Sequence, residues 1–175
     1  MKTHSTSSNK GFTLLEILLV IAAIGILAAI VLVAINPNRQ LAQARNAQRR
    51  SDVTTISNAV YQNIIDNSST GAPAILTSIT TSRQIIATAN STTCSTPGVV
   101  TGGPSGTNVP AVSGNGVNLL TTLSPNYLAS IPRDPQAGGS VNCTDYVISR
   151  DTNNRITVEA PRTESPATDD ISVTR

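Results

Sequence analysis

From Ile17 to Ile35 the chain runs nineteen residues without a charged side chain, directly after Glu16. As an α-helix this run is about 29 Å long, close to the roughly 30 Å hydrocarbon thickness of a bilayer. The rest of the 175 residues makes one modest domain, and a domain of that size rarely buries a helix so long. The run therefore reads as a membrane helix, interrupted only by Gly25. A polar segment, Met1 to Lys10, precedes it and ends at Gly11. An ordinary secretory signal has a shorter apolar core with its cut site beyond it, so that cleavage releases a soluble chain. A cut at Gly11 would leave the span attached.

The carboxylate at the head of the span needs a reason. A charge at mid-membrane costs about 2.5–3.5 kcal/mol, and less near an end. One reason is local: Thr13-Leu14-Leu15-Glu16 has the form of a capping box, with Thr13 as N-cap and Glu16 at the positive end of the helix dipole. A box explains the glutamate but neither the glycine before Phe12 nor the unbroken span behind it.

Lys10-Gly11-Phe12-Thr13-Leu14-Leu15-Glu16, set against that span, resembles the class III signal of type IV pilins and pseudopilins. The resemblance implies cleavage between Gly11 and Phe12 by a membrane aspartic prepilin peptidase, which also N-methylates Phe12. It implies that Glu16, fifth in the processed chain, offsets the terminal amine of a neighbouring subunit during filament assembly. It also implies a leader on the cytoplasmic side and an exported domain. Positive-inside counting points the other way, because Lys2 and Lys10 precede the span while Arg39, Arg45, Arg49 and Arg50 follow it. The cleavage signature is the more specific of the two signals. Pilin helices bend or melt at Gly and Pro positions, for which Gly25 and Pro37 are the candidates here. A simple kink at the membrane surface is the plainer reading of Pro37.

Composition excludes several activities. Both lysines and the single histidine, His4, lie before Phe12, so a processed chain carries no imidazole for general base or metal work. It keeps ten Arg against 10 Asp and Glu, which does not suggest a nucleic-acid binder. Catalytic residues, metal ligands and cofactors are all expected to be none. Asp134, Asp145 and Asp151 could supply carboxylates to an enzyme, but nothing in the sequence places them together. Cys94 and Cys143, both beyond the span, suggest a disulfide in an exported domain and two free thiols in a cytosolic one.

Beyond Pro37 the helical pattern resumes. Val53, Ile56, Val60 and Ile64 recur at three- and four-residue intervals, Ala42, Ala44, Ala47 and Ala59 add propensity, and Asn67 to Gly71 ends the element. The arginines of residues 39–50 read as a solvated face or as contacts for lipid phosphate, neighbouring subunits or DNA. Residues 68–123 are rich in Ser, Thr, Asn and Gly, with a turn-rich Gly102-Gly103-Pro104-Ser105-Gly106; the resemblance to pilins implies that this region is their variable αβ loop. Tyr127-Leu128 followed by Ile131-Pro132-Arg133-Asp134-Pro135 resembles the segment that introduces the sheet in major pseudopilins and related pilins. By itself Pro-Arg-Asp-Pro reads as a turn. The Trp-Gly usual after that proline is replaced by Gln136-Ala137-Gly138-Gly139, which argues against a type II secretion pseudopilin with its calcium site. Thr144 to Arg150 and Arg155 to Ala160 read as a hairpin around Asp151-Thr152-Asn153-Asn154. Ile171 and Val173 could add an edge strand, and Asp169-Asp170 read as a solvated acidic tail or a weak calcium candidate.

The fold expected is α+β and pilin-like: a long N-terminal helix, membrane half plus amphipathic half, packed on a small antiparallel β-sheet. Its parts are a leader (1–11), a membrane and filament-core half-helix (12–36), an amphipathic half (37–67), a loop region (68–123), a sheet (124–160) and a polar tail (161–175). The function expected is a structural subunit of a type IV pilus or related filament. The alternatives are a pseudopilin of a type II secretion or DNA-uptake system, or a signal-anchored domain that stays monomeric. Implied partners are prepilin peptidase, identical and minor pilins, the assembly platform with its ATPase, and membrane lipid before assembly, with no nucleic acid. The implied location is the cytoplasmic membrane, then the cell-surface filament.

Overall fold

The computed structural model describes residues 11–71, 73–88, 94, 116–137, 142–165 and 171–175. The leader to Lys10, the Gly102–Gly106 turn and Asp169-Asp170 lie outside the described residues. Two compact units divide the chain, Met1–Gln40 and Leu41–Arg175.

In the first unit, helix α1 covers Leu14–Ile35. Thr13 caps it: its backbone is extended and its hydroxyl accepts the Glu16 N–H at 3.2 Å. The helix runs through Gly25 without interruption. It stops at Asn36, which takes a left-handed conformation (φ 46) that Asn tolerates better than most residues. The Asn36 side-chain oxygen then accepts the Arg39 N–H at 3.3 Å, and helix α2 begins at Pro37. In the first helical position a proline's missing N–H costs nothing. Asn36 and Pro37 therefore end one helix and start another, and the proline does not kink a helix interior.

Helix α2 covers Pro37–Asn67. A 3-10 turn, Ser68–Thr70, and Gly71 at φ 117 follow it. In the second unit its buried residues include Val53, Ile56 and Val60, all fully enclosed, as the apolar spacing requires. Ile64 packs on the same cluster but stays half-buried.

Five strands complete this unit: β1 Gln84–Ala87, β2 Val117–Asn118, β3 Cys143–Arg150, β4 Ile156–Ala160 and β5 Ile171–Thr174. Short helices α3 (Ala74–Ser78) and α4 (Leu120–Leu123) precede β1 and follow β2. The sheet order is β2-β1-β3-β4-β5. The β3–β4 hairpin forms in the place expected, with Ile148 opposite Val158 and Arg150 opposite Ile156. Ile156, Val158 and Ala160 point inward while Thr157 and Glu159 are half-buried, the alternation of a strand with one core face. In the turn, Asp151 accepts the N–H groups of Asn153 and Arg155, each at 2.8 Å, and Asn154 is left-handed (φ 64). The tail's Ile171 and Val173 form the edge strand.

Two expectations are corrected. The sheet is mixed: β1 and β2 pair in parallel, Ile86 opposite Val117. They are joined by the long stretch from Thr88 to Gly116, and such a connection, unlike a hairpin turn, can return the chain in the same direction. The sheet also reaches beyond residues 124–160, because β1 pairs with β3 and lies inside the sheet. A four-residue strand built on Ile85-Ile86 is too short for its period to be legible, and only its neighbours define it.

Ile86, Ile148, Ile156 and Val158 meet Val53, Ile56 and Val60 in the main core, joined by Ile75, Ile79, Leu119 and Leu123 from the region expected as loop. A second cluster holds Ile85, Ala87, Val147, Cys94 and Cys143. Cys94 and Cys143 are disulfide-bonded, with Cα atoms 5.6 Å apart. The two are 49 residues apart, and closing a loop of that length stabilises a fold by about 4 kcal/mol in the chain-entropy description.

Candidate processing and assembly site

The residues implied in processing and assembly lie at the start of α1. Gly11 and Phe12 precede the cap residue Thr13 in non-helical backbone, and Phe12 is 79% exposed. This junction is thus non-helical, and Gly11 has open space where a side chain would stand. Glu16 lies in the first turn, exposed, with its N–H held by Thr13. None of the residues of α1 is buried. A helix with a mean hydropathy of 3.3 over its most apolar window and every side chain uncovered needs lipid or protein around it. Among the described residues, it is the one helix long and apolar enough to cross a membrane.

The second unit contains a polar cluster that sequence reasoning missed. Arg49 is fully buried, although it reads in the sequence as part of a solvated basic face. Its Nε and Nη2 donate to the two carboxylate oxygens of Asp134 at 2.7 and 3.1 Å. Nη2 also donates to Gln136 at 2.8 Å, and Nη1 donates to Asn46 and Glu164, each at 2.9 Å. All five guanidinium N–H groups can thereby be satisfied, which is the condition for burying arginine at all. Glu164 is also gripped by Arg45 through two bonds of 2.7 Å, and its backbone exchanges hydrogen bonds with the Asn46 amide at 2.6 and 3.0 Å. Beside this cluster, the buried Tyr146 hydroxyl donates to Asp52 at 2.7 Å, and Gln48 donates to Asp52 at 2.7 Å.

A bulge in β3 helps place these groups. Between the pairs Ile85–Val147 and Ala87–Cys143 the register slips, and Asp145 turns left-handed (φ 64). Thr144 fills the gap in the ladder, donating to the Ile86 carbonyl and accepting the Tyr146 N–H. Asp145 accepts from Arg162 at 3.0 Å. The three acids considered for an enzyme thus serve three different arginines: Asp134 with Arg49, Asp145 with Arg162 and Asp151 with Arg155. They form no shared site. Among the described residues, no group of His, Cys, Asp and Glu could hold a metal ion.

The electrostatics follow from these contacts. Burial alone would lower the Arg49 pKa, but hydrogen bonds to Asp134 and Glu164 outweigh it and hold it above the usual value. Burial first, then the hydrogen bond to the Asp52 carboxylate, pushes the Tyr146 phenol well above its usual range. The Arg45 hydrogen bond, helped by that of Arg49 and opposed by partial burial, holds the Glu164 carboxyl down at about 2, against an ordinary 4.5. A carboxyl depressed by folding stabilises fully above its unfolded value, and loses that contribution as pH falls toward its folded one. Glu164→Gln is expected to cost about 1–2 kcal/mol at pH 7, after discounting for solvent at a 21% exposed side chain. The gap to wild type should close between pH 4.5 and about 2. Paired denaturant titrations across that window read it, and a gap indifferent to pH would show that Glu164 acts through shape alone.

The stripe that buries Arg49 was present in the sequence. Ala42, Asn46, Arg49, Val53, Ile56, Val60 and Asn63 continue one three- and four-residue rhythm, and all seven are buried. Only the apolar half of that rhythm reads as a core face, because the polar half is buried solely by virtue of remote partners.

Comparison with known proteins bears on the first site. Residues 6–32 match the prokaryotic N-terminal methylation motif. The chain carries a class III prepilin-type signal. That signal spans the Gly11-Phe12 junction, Glu16 and most of α1. No curated protein and no solved structure matches the chain. The prepilin-type signal thus lies on an exposed apolar helix, which an α+β unit containing a disulfide follows in the sequence.

Proposed function

We propose that this chain is a structural subunit of a type IV pilus or related pilin-like filament. It would be cut between Gly11 and Phe12 by prepilin peptidase, N-methylated at Phe12, held in the cytoplasmic membrane by α1, and then polymerised. The observation that carries this reading is the prepilin-type signal set on a 22-residue apolar helix with no buried residue. Such a helix can exchange lipid for neighbouring α1 helices at little cost in apolar contact, because its covering is equally apolar in both places. A carboxylate in its first turn is what that exchange can use for register, by pairing with the Phe12 amine of another subunit. Partners on this reading are the peptidase, further copies, minor pilins and the assembly platform with its ATPase. The chain has a mechanical role and catalyses no reaction.

The test is the intact mass after co-expression with an active prepilin peptidase. The expected product begins at N-methylated Phe12. A chain that keeps its leader, while a control prepilin is processed in the same cells, would leave Glu16 as a helix cap and the protein as an anchored monomer.

A further inference from the structure

A groove of about 370 Å³ lies between the exposed face of α2 and the segment around Asn126, and no residue of the ion network lines it. We propose that this groove is a binding site for a neutral saccharide. Its lining includes Thr55, Asn58 and Gln62 of α2, and Asn126, Tyr127 and Leu128. None of its residues carries a charge, which disfavours phosphate, carboxylate and ammonium ligands alike. Among the described residues the Asn58 and Asn126 amides and the Tyr127 hydroxyl make no hydrogen bond. Gln62 is oriented by donating to Asp66 at 3.1 Å, which leaves its carbonyl oxygen available. The Thr55 hydroxyl donates to the Ser51 carbonyl at 2.8 Å, which leaves its oxygen as an acceptor.

A primary amide presents a donor and an acceptor side by side. Adjacent hydroxyls on a pyranose ring need that pairing, each giving one hydrogen bond and taking another. Two free amides on opposite walls can grip two such diols, while the half-buried Tyr127 and Leu128 supply apolar surface for the ring's C–H face. The volume suits a mono- or disaccharide lying across an open groove. The interface core between protein copies is typically richer in large apolar side chains than this lining. The site is independent of processing and assembly, so it stands or falls apart from the proposed function.

The test uses the full chain in phosphocholine micelles, since glycosidic detergents would compete. Saturation-transfer NMR with maltose, cellobiose, chitobiose and N-acetyllactosamine, with sialyllactose as acidic control, is run up to about 10 mM, ten times a millimolar dissociation constant. At least one neutral disaccharide is expected to bind. Asn58→Ala and Asn126→Ala should each weaken it by about two- to tenfold, the worth of a hydrogen bond. Both positions are exposed, so an unchanged denaturation midpoint would exclude misfolding as the cause. The proposal is overturned if no neutral sugar binds, if sialyllactose binds best, or if both variants bind as wild type does. It is equally overturned if an Asn126→Cys chain cross-links to a second copy and binds no sugar, which would make the groove a subunit contact.

Discussion

Arg49→Ala is expected to destabilise the Leu41–Arg175 unit by about 3–5 kcal/mol, the usual result of removing one partner from a buried ion pair. The loss comes less from the missing attraction than from what stays behind. Asp134, also fully enclosed at its side chain, would keep a carboxylate whose remaining bond, among the described residues, is from the Gln136 N–H at 2.8 Å. Oxygens of Glu164, Gln136 and Asn46 would each lose a guanidinium donor at the same time. Most single domains are stable by only about 5–15 kcal/mol, so this one change consumes a large share. Arg49→Met with Asp134→Leu should recover much of it, because replacing both partners by apolar groups removes the stranded charge. All three tyrosines, Tyr61, Tyr127 and Tyr146, lie in this unit and tryptophan is absent, so tyrosine fluorescence during denaturant titration reports this unit alone. A loss below about 1 kcal/mol for Arg49→Ala would mean that water replaces the guanidinium at little cost. The cluster would then not be what holds the Glu164 segment to α2.

The second large effect concerns the filament reading. Glu16→Ala should leave cleavage at Gly11 and methylation of Phe12 intact, yet reduce the addition of subunits to a filament by at least about a hundredfold. Removing one member of a desolvated charge pair costs about 3–5 kcal/mol, and each 1.4 kcal/mol is a factor of ten. Glu16→Gln separates charge from shape: Thr13 still caps the helix, and the variant should fail in assembly almost as badly. The readout is the ratio of sheared filament to membrane-held subunit in cells that make comparable amounts of each variant. Filaments in normal yield from processed Glu16→Ala subunits would remove the carboxylate from the assembly mechanism. The apolar surface of α1 would then be the whole driving force.

Much of this protein is decided locally and is therefore legible in its sequence. The run from Leu14 to Ile35 forms one helix with no buried residue, and its unbroken apolar length beyond Glu16 is plain in the sequence. Val53, Ile56 and Val60 face a core, and Ile156, Val158 and Ala160 line a strand, because a helix and a strand repeat at different periods. The Asp151–Asn154 turn follows from side chains that hydrogen-bond their own backbone. The prepilin-type signal is likewise local, a few residues at a fixed distance from a span.

What only the tertiary structure decided has a common physical cause. Burial of a polar group depends on its partners, and these partners lie far away along the chain. Arg49 is enclosed because Asp134 and Glu164 arrive from 85 and 115 residues on. The sheet's inner strand β1 is set by pairing with β3 and β2, whereas its own four residues carry almost no period. The bulge at Asp145 exists because Thr144 can bridge the ladder while Asp145 reaches Arg162. A sequence states each residue's periodicity and charge, but the dielectric around that charge is a property of the assembled fold.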